Sequence, residues 1–160
     1  MNTIKQMPAD ARVWVYQSNT ILTETQTNSI IQKGKAFVEG WAAHGAPLNA
    51  SFDILYNRFL IIAVDEKQAM ASGCSIDKSL AFIKALEQEF GLNLLDRMQV
   101  AYRKGDVIEV CSLNEFEKLA NNGAVDAATI VFNNMITSKE GFDSNWEIPL
   151  KESWQNRVLH

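Results

Sequence analysis

The chain has 160 residues, 47% hydrophobic and 21% charged, with a formal charge of −4. That is the size and composition of one globular domain rather than of a disordered segment, and the acidic balance argues against nucleic acid or an anionic membrane surface as partner. No apolar run reaches the roughly 20 residues that cross a bilayer, and the first eight residues lack the apolar core of a signal peptide, which together predict a cytoplasmic protein.

After a lead-in ending at Pro8-Ala9-Asp10, residues 12–18 read as a strand, apolar on both faces and therefore central. Thr23 with Gln26 is a capping box that opens a long helix reaching to Ala43, its buried stripe running through Thr27, Ile30, Gly34, Phe37 and Trp41. His44-Gly45-Ala46-Pro47 stops it. Residues 51–56 and 59–64 read as a hairpin turning at Asn57, the second strand being the most apolar run of the chain, Phe59-Leu60-Ile61-Ile62-Ala63-Val64. A second helix runs from Ser75 to Phe90 with Ile76, Leu80, Ile83 and Leu86 on its inner face and Gly91 as its stop, and a strand at 98–102 follows.

Strand, helix, strand, strand, helix, strand is the split βαβ, or ferredoxin-like, order of an α+β fold: two main helices on one face of an antiparallel sheet whose first and third strands are the inner pair. This core takes residues 1–103. Residues 104–160 read as a strand-helix-strand extension packed on it in one compact domain. Lys104-Gly105-Asp106 turns into a strand at 107–110, Ser112 and Glu115 cap a short helix with Phe116 and Leu119 inside, and 129–132 is a last strand, followed by a tail carrying Trp146, Pro149 and Trp154.

Ala71-Ser72-Gly73-Cys74-Ser75-Ile76-Asp77-Lys78-Ser79 brings a thiol and hydroxyls to the point where a buried strand hands over to a helix N-terminus, a place that favours negative charge. The split βαβ order predicts that the loop 44–50 faces the loop 65–74, so that His44, Asp65 and Cys74 share one rim with Arg12 and Arg103. Two functional readings follow. In one, Cys74 is a nucleophilic or redox-sensitive thiolate, His44 its base, and Asp65 or Asp77 the orienting carboxylate. In the other, Ser72, Gly73 and Ser75 form an anion nest for a small anionic ligand, with Arg12 and Arg103 beside it. A plainer reading stands next to both: Cys74 as a small buried residue at the Gly73 turn, Ser75 as a cap, and His44 as a helix C-terminal residue favoured by the dipole.

Cys74 and Cys111 have no CxxC spacing, and with only two histidines the chain predicts free thiols, no zinc site and no cofactor. Cys111 reads as packing. The tryptophans read as core and tail, with Trp146 and Trp154 able to form a patch for a protein partner. A homodimer is left open.

The stretches Arg12-Val13-Trp14-Val15-Tyr16-Gln17-Ser18, residues 52–64, Ser72-Gly73-Cys74-Ser75-Ile76-Asp77, Phe132-Asn133-Asn134 and residues 146–154 resemble a family of small, uncharacterised bacterial cytosolic proteins commonly labelled ABC-transporter ATPases. The resemblance implies no particular activity, and the label fails on the residues. A Walker A loop needs G-x-x-x-x-G-K-[ST] to wrap phosphates, whereas Gly34-Lys35 is followed by Ala36, has Ser29 in place of the first glycine, and lies within a helix stripe. Residues 112–116 and 123–132 are similar to the second half of a GYF-type module, without its Gly-Tyr-Phe triplet, so peptide binding does not carry over. The chain thus reads as a non-catalytic ligand-binding or adaptor protein with a site at Ser72 to Ser75, or as a small cysteine-dependent enzyme using Cys74 with His44, and not as a P-loop ATPase.

Overall fold

The computed structural model describes residues 3–159. In chain order it contains β1 (Arg12–Gln17), α1 (Glu24–Glu39), the short β2 (Ala42–Ala43) and β3 (Ala46–Pro47), β4 (Asn49–Leu55), β5 (Phe59–Asp65) and α2 (Gly73–Phe90). There follow β6 (Gln99–Lys104), β7 (Val107–Ser112), α3 (Leu113–Asn121), β8 (Ile130–Phe132), α4 (Lys139–Asn145) and β9 (Glu147–Pro149), then two 3-10 turns. The fold is α+β with antiparallel sheets.

Two of the three core clusters pack on opposite faces of β5, whose Phe59 through Val64 are each 0% exposed. Successive side chains of a strand point to opposite faces, so a strand buried at every position must be covered twice. Leu60, Ile62 and Val64, with Tyr16 and Phe52, meet Ile30 and Val38 of α1 and Ile83 and Leu86 of α2. Phe59, Ile61 and Ala63, with Val13 and Val15, meet Ala101 of β6, Phe132 of β8 and Trp146. The far face of the second sheet, carrying Val100, Tyr102, Val131 and Ile148, is covered by Phe116 of α3 and by Leu150 and Val158 of the C-terminal turns. The layers therefore run helices, sheet, sheet, helix.

Strand pairing departs from the expected four-stranded sheet. The order β1-β5-β4 keeps the first and third strands adjacent, with Val15 opposite Ile61 and Phe52 opposite Ile62. The fourth expected strand, β6, does not join β1. It forms the second sheet in the order β7-β6-β8-β9, so the split βαβ sheet is not confirmed as a unit and β1, expected to be central, lies at the border of its sheet. The cause is the apolar second face of β5 and β1, which needs a covering layer and receives it from β6 and β8.

The first helix is also shorter than its stripe. It opens as expected, Thr23 Oγ1 accepting the Gln26 N–H at 3.1 Å and Gln26 Oε1 accepting the Thr23 N–H at 3.0 Å, but it ends at Glu39 with Gly40 as cap. Trp41 is buried from outside the helix. Residues 43–46 instead make a tight turn between β2 and β3, with His44 at φ 51° and Gly45 at φ 80°, the left-handed pair that a two-residue hairpin requires. His44 is thus an exposed hairpin tip and not a helix C-terminal residue.

Candidate functional site

The loops predicted to converge touch where Asn49 sits opposite Asp65 in the ladder. Just outside them, the Trp41 indole N–H donates to the Ser75 carbonyl at 2.8 Å. The nest of hydroxyls is closed on itself, however. Ser72 is the N-cap of α2: its Oγ accepts the Ser75 N–H at 3.1 Å, the Ser72 N–H donates to Ser75 Oγ at 2.7 Å, and the Ser75 hydroxyl donates to the Ser72 carbonyl at 2.8 Å. Ser75 is buried, while Gly73, Cys74 and Asp77 are exposed on the first turn, so Cys74 is not the buried packing residue that its glycine neighbour suggested. Among the described residues neither the Cys74 thiol nor the His44 ring has a hydrogen-bond or ion-pair partner. Asp65 accepts the Lys67 N–H at 3.1 Å.

The two arginines assigned to this rim part company. Arg12 remains, opposite Val64 and 3.8 Å from Glu66, whose other carboxylate oxygen accepts the Ala71 N–H at 2.8 Å. Glu66 thereby links Arg12 to the loop that leads into α2. Arg103 lies at the other end of β5, over the Tyr56 ring at 5.1 Å and bonded to Glu147 at 2.7 Å. It was expected beside Arg12 because β6 was expected beside β1; in the second sheet β6 carries it to the β4–β5 turn instead.

A different concavity opens along the free edge of β1. The Val13 N–H donates to the Thr137 carbonyl at 3.1 Å and the Lys139 N–H to the Ala11 carbonyl at 2.8 Å, so the chain at 137–139 clamps one end of the strand. At the other end the Asn134 amide donates to Gln17 Oε1 at 2.9 Å, and the Trp146 indole N–H holds Asn134 Oδ1 at 2.9 Å. Between the clamps lies a cavity of about 480 Å³ bounded by Arg12, Trp14, Val15, Arg97, Met135 and Ile136. Backbone direction alternates along a strand, so Val15, two residues from Val13, turns its N–H and C=O toward this same border, where no strand among the described residues pairs with it.

Two guanidinium groups face the cavity. Arg12 lies over the Trp14 ring at 4.8 Å. Arg97 is exposed, with no hydrogen bond or salt bridge from its side chain among the described residues. Its charge is felt at Tyr16, where it partly offsets the upward push that burial gives the phenol. A narrow extension of about 30 Å³ adjoins, whose lining includes Gln17, Asp96, Gln99 and Gln155; the Asp96 carboxylate there accepts the Met98 N–H at 2.9 Å and the Gln99 side-chain amide at 3.2 Å. Gln155 is 2% exposed, and its Oε1 is buried without a partner among the described residues. An orphaned buried acceptor is costly and uncommon, and it marks a place where an incoming donor is favoured.

The residues of this cleft other than Arg12 escaped sequence reasoning. Trp14 reads as core and is half-buried, and Arg97, Asn134 and Gln155 fall in segments without periodicity. Among the described residues no helix is long and apolar enough to cross a membrane, and no three His, Cys, Asp or Glu side chains gather as a metal site. Compared with family models, with curated proteins and with solved structures, the chain matches none.

Proposed function

We propose that this chain is a non-catalytic binding protein whose ligand is a small organic anion seated in the cleft along β1. The observation that carries the reading is the pairing of Arg12 and Arg97 across a cavity of about 480 Å³ whose walls are mainly apolar, a volume and lining typical of small-ligand sites. Clamps at both ends of the cleft favour a compact ligand over a through-running peptide strand. Guanidinium groups match carboxylate and phosphate oxygens in a planar fork, Val15 offers a backbone donor and acceptor, and Gln155 Oε1 offers an acceptor to any hydroxyl or amine the ligand carries. In this reading the Ser72 to Ser75 turn serves as a support: through Trp41 it fixes the start of α2, and through Glu66 that region steadies Arg12.

The test is an NMR titration of the full chain with succinate and with phenyl phosphate at constant ionic strength. Saturable shifts at the amides of Val13, Val15 and Arg97 are expected, with Arg97→Gln weakening binding at least tenfold. Absence of shifts at those amides for both probes would refute the reading.

A second reading, thiol chemistry at Cys74, is favoured by the exposure of that residue on the first turn of an 18-residue helix. Alkylation of Cys74 by iodoacetamide no faster than that of glutathione at the same pH would remove it.

A further inference from the structure

Arg58 is the last residue of the β4–β5 turn and is 6% exposed. Its Nη1 donates to the Ser18 carbonyl at 3.2 Å, and among the described residues no carboxylate lies within salt-bridge distance of it. A guanidinium carries five N–H donors and a full charge; one neutral carbonyl leaves most of that unanswered, and a buried charge without a counter-charge is a recognised source of instability. Burial lowers its pKa, with Glu109 acting against this from a distance.

Arg58 lines a cavity of about 420 Å³ between the β4–β5 turn and the β6–β7 hairpin, and Arg103 lines the same space. Arg103 has committed its Nε to Glu147. The remaining walls include Ile21, 62% exposed, and Val107, 53% exposed, two large aliphatic side chains that a folded chain does not need to display. Asp106 is the acid on the rim.

We infer that this cavity is a second ligand site, taking the carboxylate of a small apolar acid between Arg58 and Arg103 and its hydrocarbon body against Ile21 and Val107. A singly charged, planar group fits better than a phosphate: it matches the guanidinium fork edge-on, it answers the Arg58 charge, and it adds no second negative charge near Asp106. The site is separate from the β1 cleft and does not depend on it.

The experiment is thermal unfolding of the full chain carrying Arg97→Gln, which weakens the β1 cleft, with sodium benzoate, sodium phosphate or sodium chloride at matched ionic strength, and of the same chain with Arg58→Met or Ile21→Glu added. Benzoate is expected to raise the Tm of the Arg97→Gln chain saturably above the chloride control, with phosphate giving no comparable rise. Adding Arg58→Met should abolish the rise, and adding Ile21→Glu should weaken the apparent affinity at least tenfold. No rise in the Arg97→Gln chain, an equal rise with phosphate, or a rise that survives Arg58→Met overturns the proposal. Should Arg58→Met fail to fold, Ile21→Glu at its exposed position decides, since an undiminished rise there overturns it as well.

Discussion

The Tyr56 hydroxyl donates to Glu147 Oε2 at 2.8 Å while the other oxygen of that carboxylate receives Arg103 at 2.7 Å, so one side chain of β9 joins the turn of the first sheet to β6 of the second. Tyr56 stands at φ 55°, a left-handed conformation that is costly for a bulky residue. Its ring is held there by stacking on Trp146 at 6.0 Å and by the edge contact with Phe59 at 6.3 Å. Removing the hydroxyl alone, as in Tyr56→Phe, is expected to destabilise by about 1 kcal/mol, since a hydrogen bond to a charged acceptor is lost at a half-exposed site. A double-mutant cycle with Glu147→Ala in urea checks this. Strictly additive effects of the two substitutions would mean that the bond contributes nothing.

Gly34 in the middle of α1 gives a prediction whose sign goes against helix propensity. Alanine in place of a helical glycine ordinarily stabilises by roughly 1 kcal/mol, yet a Cβ at this position would fall 2.2 Å from the Phe52 ring of β4. The ring is 5% exposed and packed in the core, so it cannot move aside freely. Gly34→Ala is therefore expected to destabilise by about 1–3 kcal/mol, the usual range for overpacking. Chemical denaturation of Gly34→Ala and of Gly34→Ala with Phe52→Leu measures it, the second substitution restoring part of the loss. A Gly34→Ala variant more stable than the wild type would contradict the contact.

Trp41 ties the segment before β2 to the first turn of α2. Its indole is 2% exposed, and its N–H satisfies the buried Ser75 carbonyl. Trp41→Phe retains most of the ring volume and removes the donor, with an expected loss of about 1 kcal/mol. Hydrogen exchange should quicken in the first turn of α2 more than at its C-terminal end. Uniform quickening along the helix would place the effect in general core packing.

Local signals carried well into the structure, and long-range ones did not. The Thr23 and Gln26 pair, the Gly91 stop and the Lys104-Gly105-Asp106 turn each depend on residues a few positions apart, and each forms where expected, Gly91 and Gly105 both at positive φ. The run of residues 59–64 lacks any polar alternation, which already implies a sheet covered on both faces. What it does not name is the partner, because β6 and β8 pair across dozens of residues at no propensity cost. His44-Gly45 was read as a helix stop when it is a hairpin turn, two uses of the same left-handed backbone. Lys139–Asn145 forms a helix despite Gly141, Asp143 and Ser144, weak helix formers held by the Ser138 cap and by the backbone bonds of residues 139 and 140 to residues 11 and 9. The β1 cleft draws Arg12, Arg97 and Asn134 from three distant segments, so only the assembled fold reveals it.

The two cysteines should separate cleanly by reactivity. Burial pushes the Cys111 thiol up to about 11, with Glu115 and Glu109 adding to the effect, whereas Cys74 is exposed. At pH 8 iodoacetamide should therefore label Cys74 first, and labelling of Cys111 in the folded chain should climb only as pH approaches 11, which peptide mapping by mass spectrometry reads directly. The same shift predicts a direction for stability. The fold favours the protonated Cys111 thiol, so that contribution is complete below the unfolded value of about 8.5 and declines as pH rises toward the folded value. Tyr16, Tyr56 and Tyr102 are also raised and act in the same sense at higher pH. The contribution of Cys111 is isolated by comparing wild type with Cys111→Ala: their stability difference should be constant up to about pH 8.5 and then shift against the wild type. A difference that stays flat to pH 10.5, or equal labelling of both cysteines at pH 8, would show that Cys111 is not held in its protonated form.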